Sequence, residues 1–398
     1  MSTIWTENNI IPIVDEYDVC VVGGGVAGVA AALSAAREGA RTCLIEKEYA
    51  LGGLATLGLI VYYLPLCDGK GRQVIAGISE ELLKASIKYA AGDLPECWAD
   101  KSGDPEARKS SRYRTKFEAA PFIIAMEEML TGCGVHLIYD SRFCGVHREN
   151  GHIDGVIIEN KSGRLGVAAR MVIDATGDAD VCHAAGEKTV SWAGNVCTGW
   201  YFANGGEGLR LRGCSDPIHG KIPEGHRFYA GDRFEDVTQH AIDGRRMIMA
   251  DVMKLRAAGD ETAYPFLIPT YDGMRMTRRL SAAYTLDESE AFTDFEDSVG
   301  LTGDWRKCGP VFALPWRTMM GVENDNLAAA GRCISVTNDM WDITRVIPTA
   351  ALTGEISGLA AAMAVRRGLT LPELNVALLQ DALRSKGNII EKPYGDSA

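Results

Sequence analysis

The sequence predicts an α/β protein built on parallel strands that are joined by helices. An apolar strand over residues 17–22 leads into three glycines and then into an Ala-rich helix over 26–38. Gly39 ends this helix, and an apolar strand over 41–46 follows. Strand, tight turn, helix and strand together form a βαβ unit of about 30 residues, which is the building block of parallel sheets.

A three-stranded β-meander is predicted in the middle of the chain. Alternating segments over residues 143–148 and 155–160 flank a turn at Asn150-Gly151, and a third segment over 165–174 follows. Asn-Gly is a frequent two-residue hairpin turn because both residues tolerate positive φ. The predicted fold is therefore a Rossmann-like α/β sheet with an added three-stranded β-meander.

Other elements surround these two units. They are a helix over 121–131, a strand over 135–139, a strand over 326–331 and a long Ala-rich helix over about 349–367. Asn375 is expected to be the N-cap of a final helix that ends near residue 385.

Two domains are expected, and both are discontinuous. The strand and helix patterns weaken after residue 61, and residues 186–324 carry mixed signals with many aromatic and arginine residues. We assign 15–60, 113–185 and 325–398 to a dinucleotide-binding domain. We assign 61–112 and 186–324 to a second, α+β domain that covers the substrate.

Composition restricts the partners. The 398 residues include 41 Lys and Arg against 53 Asp and Glu, a net charge of −12, which predicts no nucleic-acid partner. No apolar run reaches the ~18 residues of a membrane span, and residues 1–13 lack a leader pattern, so we expect no membrane partner and a cytoplasmic location. The cysteines are scattered and predict reduced thiols with no bound metal. A homo-oligomer is compatible with the sequence, which does not specify one.

A glycine motif marks the candidate site. Gly23 and Gly25 lie in the turn after the first strand, and Gly28 lies in the helix that Val26 and Ala27 open. Gly23 permits the tight turn, Gly25 permits close approach to a pyrophosphate, and Gly28 permits helix against sheet. The helix N-terminus favours phosphate through its free N–H groups and dipole.

An acidic residue follows at the end of the second strand. Glu46 stands 18 residues after Gly28, where a carboxylate can accept hydrogen bonds from ribose hydroxyls, and Lys47 is beside it. Alternatively, Glu46 is a solvated member of the charged run Glu46-Lys47-Glu48. The glycine motif favours the ribose role.

Two later segments indicate which dinucleotide binds. An apolar strand over 171–174 ends in Ala175, Thr176, Gly177 and Asp178, and residues 326–332 repeat the design of a strand ending in small residues. Small residues let the chain pass close to a cofactor. The helix after Pro348 can aim its N-terminus at a redox ring, where negative charge develops on reduction. The alternative for each segment is an ordinary buried strand and turn.

These motifs resemble a known family. The resemblance is carried by DVCVVGGGVAGVAAALSAAREGARTCLIEKEYALGGLAT, VIDATGDAD, LPWRTM, AAAGRCIS and TRVIPTAALTGEISGLAAAMAVRRG. In this order they are similar to the FAD-dependent oxidoreductases whose dinucleotide fold is like that of glutathione reductase and p-hydroxybenzoate hydroxylase. The resemblance covers about half of the chain and implies FAD as the cofactor.

The resemblance also implies positions along FAD. It places Gly53, Leu54 and Thr56 along the phosphates or ribityl chain, Phe143 at the adenine, Asp178 at the pyrophosphate, Gly331 and Arg332 at the ribityl chain, and Pro348 at the isoalloxazine. The redox cysteine pair of the disulfide reductases is missing, since the sequence there is GGLATLGLIVYY, and no second GxGxxG occurs. Direct reduction of FAD by an organic substrate is the simpler hypothesis.

The candidate catalytic residues are mostly arginines. Arg275, Arg317 and Arg345 could hold an anionic substrate or the reduced flavin, although each could equally form an ordinary salt bridge. Asp339 is placed to face the ring, and His183 is a weaker candidate base.

The sequence therefore predicts an FAD-dependent dehydrogenase or oxidase that transfers a hydride from a small organic substrate to flavin. An NAD(P)H-dependent reductase or monooxygenase is a second hypothesis. A non-redox or electron-transfer flavoprotein is a third.

Overall fold

The computed structural model describes residues 10–99, 102–197, 199–215 and 225–391. Most of the region examined for a leader, and the end of the last predicted domain segment at 392–398, lie outside the described residues.

The strands form one main sheet and several small two- or three-stranded sheets. The earlier strands are β1 Ile13–Val22, β2 Thr42–Ile45, β3 Tyr62–Tyr63, β4 Thr115–Lys116, β5 His136–Ile138, β6 Arg142–Glu149, β7 His152–Asn160, β8 Gly163–Asp174 and β9 Thr189–Ser191. The later strands are β10 Asn195–Val196, β11 Trp200–Asn204, β12 Arg210–Gly213, β13 Phe228–Tyr229, β14 Tyr264–Leu267, β15 Arg278–Leu280, β16 Ser298–Gly303, β17 Val311–Pro315 and β18 Leu327–Ala329.

Helices are interspersed with the strands along the sequence. They are α1 Val26–Arg37, α2 Ile78–Ser86, α3 Glu96–Ala99, α4 Pro105–Ser110, α5 Ala119–Gly132, α6 Asp180–Ala184, α7 Phe234–Ala257, α8 Asn338–Thr344, α9 Ile347–Arg367 and α10 Val376–Ser385. The predicted N-cap of α10 is present, because the Asn375 side chain accepts a hydrogen bond from Ala377 N at 2.9 Å.

The main sheet confirms the predicted Rossmann-like α/β fold. Its strands lie in the order β5-β2-β1-β8-β7-β6, and β18 also pairs with β8. Strands β5, β2, β1, β8 and β18 are parallel, whereas β6, β7 and β8 form the antiparallel meander. Asn150 and Gly151 have φ of 50° and 80°, as the predicted hairpin turn requires.

Strand β8 is long enough to serve both parts of the sheet. Its residues Gly163 to Ala168 pair with β7, and its last residues, Val172 to Asp174, pair with β18. On its other side, Asp174 is opposite Val22 of β1. The carboxyl ends of β1, β8 and β18 therefore stop at the same edge of the sheet, next to one another.

Helices α1 and α9 pack against each other almost backbone to backbone. A Cβ added to Gly354 of α9 would lie 2.1 Å from the Ala27 carbonyl oxygen, and one added to Gly358 would lie 2.1 Å from that of Ala31. Glycine at these two positions lets the helices approach closely. All of α9 from Pro348 to Ala364 is buried.

A smaller unit stands apart from the main sheet in sequence. Strands β12, β11 and β14 form an antiparallel sheet, and α7 packs on it through Ile248 and Val252 against Tyr201 and Ala203. Helix α2 of the segment 61–112, which was expected to belong with this unit, packs against α1, α5 and α9. The domain boundaries themselves stay predictions.

No single helix among the described residues has the length and apolar character needed to cross a membrane. Helices α8 and α9 reach that length and composition only when taken together, and they are bent by 89°. The eleven cysteines are free, and Cys20 and Cys43 lie buried on adjacent strands.

Candidate FAD site

One cavity of about 300 Å³ lies at the sheet edge where β1, β8 and β18 end. The turns that follow these strands all line it, and backbone hydrogen bonds hold them together. Ala175 N donates to Val22 O and Ala330 N donates to Asp174 O, each at 2.9 Å. The three separated sequence motifs therefore meet around one space.

The three glycines of the first turn have different surroundings. A Cβ on Gly23, whose φ is 106°, would lie 2.5 Å from the Ala175 carbonyl oxygen. A Cβ on Gly28 would lie 1.8 Å from Gly23 O. In contrast, a Cβ on Gly25 would meet nothing within 4 Å, because Gly25 faces the cavity. Gly23 and Gly28 therefore permit the turn, and Gly25 keeps the cavity floor open.

The N-terminus of α1 opens onto the same floor. Gly25 is its N-cap, and no side chain caps the first N–H groups of this helix. Those N–H groups and the helix dipole favour a bound anion. An open glycine cradle below uncapped N–H donors fits the pyrophosphate of a dinucleotide.

Glu46 lies at one end of the cavity and is 7% exposed. Its carboxylate accepts hydrogen bonds from Gly24 N at 2.6 Å and from Glu48 N at 2.9 Å. Burial raises the pKa of this carboxyl, although the two hydrogen bonds oppose the shift. The side chain is thus held in place with lone pairs available for ribose hydroxyls. Because Glu46 is buried, it is not the solvated member of a charged run that the sequence also allowed.

Arg332 and Asp178 join two of the turns. Their side chains form an ion pair at 3.1 Å, and Arg278 donates to the Asp178 backbone oxygen at 3.0 Å. The Arg332 Nε is buried and has no hydrogen-bond partner among the described residues. This unsatisfied donor in the cavity wall fits a cofactor oxygen.

Asp180 also lines the cavity, close to these charges. Burial, with the nearby carboxylates of Asp178 and Asp174, raises the pKa of Asp180 to about 6, although Arg278 pairs with it at 2.7 Å. At neutral pH, Asp180 is largely ionised.

The other end of the cavity lies at the N-terminus of α9. Val346, Ile347 and Ala350 line it, together with Leu54 of the turn Gly53–Ala55. Val346, the N-cap of α9, offers no side-chain cap, so the first turn of this helix also presents N–H groups. The dipole of α9 would favour the negative charge that a flavin ring acquires on reduction.

The roof of the cavity comes from outside the dinucleotide-binding segments. Trp200, Arg275 and Trp305 line it from the region 186–324, and Tyr62 and Leu64 line it from the region 61–112. Both regions were expected to cover the substrate.

Most of the cofactor residues expected from the sequence line the cavity. They are Gly23, Gly25, Val26, Ala27, Glu46, Lys47, Gly53, Leu54, Phe143, Ala175, Thr176, Gly177, Gly331 and Arg332. Gly28, Thr56, Asp178 and Pro348 are not in the cavity wall. They act behind it: the Thr56 hydroxyl donates to Leu51 O at 2.6 Å, and Pro348 O accepts from the Ser79 hydroxyl at 3.0 Å.

Some of the catalytic candidates line the cavity and others do not. Arg275 and Arg345 line the cavity. The structure does not bring Arg317 there, because its guanidinium pairs with Asp297 at 2.8 Å and lies over the Tyr284 ring. Asp339 is exposed on α8, and His183 is exposed on α6. Arg317 therefore forms the ordinary salt bridge that was the alternative to a catalytic role.

Sequence reasoning missed several wall residues. Trp200, Tyr271, Trp305, Asp180 and Arg142 line the cavity without having been selected. The signal for three of them was the aromatic and arginine content of 186–324, which does not say which side chains point inward.

Comparison with known proteins gives the family. The model of the family described as FAD dependent oxidoreductase matches residues 18–199 and 200–383. Digeranylgeranylglycerophospholipid reductase of Thermoplasma acidophilum is 28% identical over 188 residues, which are 46% of this chain and 44% of that protein. Protein FixC of Escherichia coli is 29% identical over 163 residues, which are 37% of this chain and 36% of that protein.

A solved structure shares the fold. The aromatic hydroxylase CabE from angucycline biosynthesis aligns with a TM-score of 0.50 at 13% identity, covering 93% of this chain and 66% of that one. The alignments to the two curated relatives above span less than half of those proteins. The family match covers nearly the whole chain, and it agrees with a cavity whose glycine cradle, buried Glu46 carboxylate and two helix N-termini fit FAD. The chain belongs to the FAD dependent oxidoreductase family.

Proposed function

We propose that the protein is a dehydrogenase or oxidase that takes a hydride from a small organic substrate. One observation carries the proposal: the cavity that holds the glycine turn and the α9 N-terminus is also lined by Tyr62, Leu64, Trp200 and Trp305, which come from outside the dinucleotide-binding segments. When bound, FAD supplies the hydride acceptor. The aromatic roof supplies a space beside it that excludes water.

Residues of this cavity can bind and orient a substrate. Arg345, whose guanidinium pairs with Asp342, stands directly before the first turn of α9, where the helix dipole favours negative charge. Tyr62 lines the cavity, and a tyrosine hydroxyl can exchange a proton with a substrate. We assign Tyr62 the proton transfer that Asp339 and His183, both exposed, are not placed to perform.

A reductase that takes electrons from NADH or NADPH is the second candidate. It is supported by the similarity to a protein named as a digeranylgeranylglycerophospholipid reductase, over 46% of this chain. In that direction the same cavity would receive an oxidised substrate.

Anaerobic reduction of the purified holoprotein separates these functions. Flavin absorbance is followed after mixing with NADH, with NADPH, or with a panel of small alcohols, amines and acids. Bleaching by an organic compound and not by nicotinamide supports the dehydrogenase or oxidase. Rapid bleaching by nicotinamide alone supports the reductase. Flavin that neither reduces would contradict both and indicate the non-redox or electron-transfer role.

A Tyr62→Phe variant tests the proton-transfer assignment. We expect the reductive half-reaction to slow by roughly 10²-fold with unchanged FAD binding. An unchanged rate would remove Tyr62 from the mechanism.

We also propose that the protein is cytoplasmic and has no nucleic-acid partner. The net charge of −12 supports the absence of a nucleic-acid partner, and the free buried thiols support the cytoplasm. Fractionation of cells that produce the protein would test the location.

A further inference from the structure

We infer that Arg279, a buried arginine behind the cavity wall, raises the reduction potential of bound FAD by supplying an unpaired positive charge. The inference rests, like the proposed function, on FAD binding in the cavity, and it holds whichever way electrons pass between flavin and substrate. It follows from the burial of Arg279, from the lack of a partner carboxylate among the described residues, and from the contacts that join Arg279 to the wall.

Arg279 is a buried charge without a counter-charge. The residue is 6% exposed, and its Nε is buried with no hydrogen-bond partner among the described residues. Burial lowers the pKa of its guanidinium, and no carboxylate among the described residues opposes that shift. The side chain nevertheless stays protonated at neutral pH, as arginine does in proteins. Buried charges are normally paired because removing an ion from water is costly. The charge of Arg279 therefore acts on its surroundings without being cancelled.

The neighbouring arginine of the same strand shows the ordinary arrangement. Arg278 donates to the Asp180 carboxylate at 2.7 Å and to the Asp178 backbone oxygen at 3.0 Å. Successive side chains of a strand point to opposite faces, so Arg278 and Arg279 leave β15 on opposite sides. The unbalanced positive charge of this strand therefore comes from Arg279.

Trp341 connects Arg279 to the cavity wall. The guanidinium carbon of Arg279 lies 5.6 Å from the centre of the Trp341 ring, and Trp341 Nε1 donates to Arg332 O at 2.9 Å. Gly331 and Arg332 line the cavity, and β15 also contacts their turn directly. Arg279 itself is not in the wall. Because Trp341 is fully buried, the charge acts on the cavity through protein and not through water.

A buried cation favours the more negative state of a nearby group. Negative charge develops on the flavin ring when FAD is reduced, and the α9 dipole favours the same change. Two unit charges about 10 Å apart, at an effective dielectric constant of about 20, alter an equilibrium roughly 10-fold. Arg332 and Arg345 of the wall each pair with an aspartate, so much of their charge is balanced. Arg279 adds a charge that no carboxylate offsets.

The reduction potential of the bound flavin tests the inference without a substrate. The holoprotein is reduced anaerobically together with a reference dye, and the visible spectra of flavin and dye give the equilibrium constant. Arg279→Met removes the charge and keeps a long side chain. We expect the equilibrium constant for reduction of its flavin to fall roughly 10-fold, which is about 30 mV for a two-electron couple.

Further variants separate charge from packing. Arg279→Lys keeps the charge and should retain most of the parent potential. Arg279→Gln is a second uncharged variant with a polar side chain, so a folding defect of Arg279→Met does not decide the test. Arg384→Met removes an exposed charge on α10 and should match the parent protein. The shift in the uncharged variants should persist in about 1 M salt, because buried charges are poorly screened.

The outcomes are distinct. Equal potentials in the parent protein and in the uncharged variants would overturn the inference. A fall in Arg279→Lys as large as in the uncharged variants, or a shift that disappears in high salt, would overturn the assignment to a buried charge. Failure of the parent protein to bind FAD would instead count against the proposed function. A flavin that the dye couple reduces but no organic compound or nicotinamide does would contradict that function and leave the potentials measurable.

Discussion

Arg332 and Asp178 form an ion pair at 3.1 Å that joins the turn after β18 to the turn after β8. The backbone of Arg332 is held as well, because Trp341 Nε1 donates to its carbonyl oxygen at 2.9 Å. Arg332 is thus fixed in place, and its buried Nε, which is unsatisfied among the described residues, is available to a ligand.

Replacing Arg332 by methionine should weaken FAD binding by roughly 10- to 100-fold, because a charge-assisted hydrogen bond is lost and Asp178, behind the cavity wall, loses its ion pair. Fluorescence titration of apoprotein with FAD measures the change. Arg366→Met removes an exposed ion pair with Glu38 and is the control. Equal FAD affinity in the two variants would contradict the role of Arg332.

Two alanine substitutions in the glycine motif should have opposite consequences. The Cβ of Gly25→Ala enters open cavity, so the apoprotein should keep its melting temperature while FAD affinity falls at least roughly 10-fold. The Cβ of Gly28→Ala meets Gly23 O, so that variant should lose about 1–3 kcal/mol of stability. Thermal melts with and without FAD distinguish them. Full FAD affinity in Gly25→Ala would show that the open floor is not the cradle.

Stability should depend on the protonation of Glu355 in the middle of α9. Glu355 is 2% exposed, and burial raises its pKa to about 7, although hydrogen bonds from Asn388 and Ile78 N oppose the shift. A raised carboxyl pKa means that the folded state binds the proton more tightly. The contribution is therefore fully present below the ordinary pKa of 4.5 and is lost as pH rises to about 7.

Denaturant melts of the parent protein and Glu355→Gln at pH 5 and pH 8 measure this dependence. Between these two values, the free energy of unfolding of the parent protein should fall relative to that of the variant by up to about 3 kcal/mol. Parallel pH profiles would show that Glu355 titrates normally.

The loop that carries Arg275 should loosen when its contact with α7 is broken. Asp272 Oδ1 lies 2.5 Å from Nδ1 of His240, which is 2% exposed, and Thr270 N donates to Leu57 O at 3.0 Å. Asp272→Asn removes the charge and keeps the shape. Amide hydrogen exchange over 270–276 should quicken by roughly 10-fold, with α9 unchanged. Unchanged exchange in that loop would contradict this anchoring role.

Local sequence signals predicted much of the fold because each has a local physical cause. Asn150-Gly151 adopts positive φ and sets the meander, and Asn375 caps α10 through its own side chain. The meeting of the turns after β1, β8 and β18 at one cavity could be predicted for a related reason. In a parallel sheet, strand ends fall at one edge, so motifs at strand ends become neighbours.

The roof could not be predicted in the same way. Trp200, Tyr271 and Trp305 come from separate ladders and loops, and no period in the sequence says which way their side chains point. Arg317 and Arg275 look alike as sequence features. Only the tertiary position of Asp297 ties the first to an ion pair, whereas Asn195 places the second in the cavity wall.

The glycines of α9 have a mechanical consequence. Because Gly354 and Gly358 seat α9 directly on Ala27 and Ala31 of α1, the two helices cannot slide without backbone collision. Residues at both helix N-termini line the cavity, so these two parts of its wall are held in a fixed relative position. A movement that opens the cavity would therefore involve the covering segments at 61–112 and 186–324. The contact between α1 and α9 would stay in place during that movement.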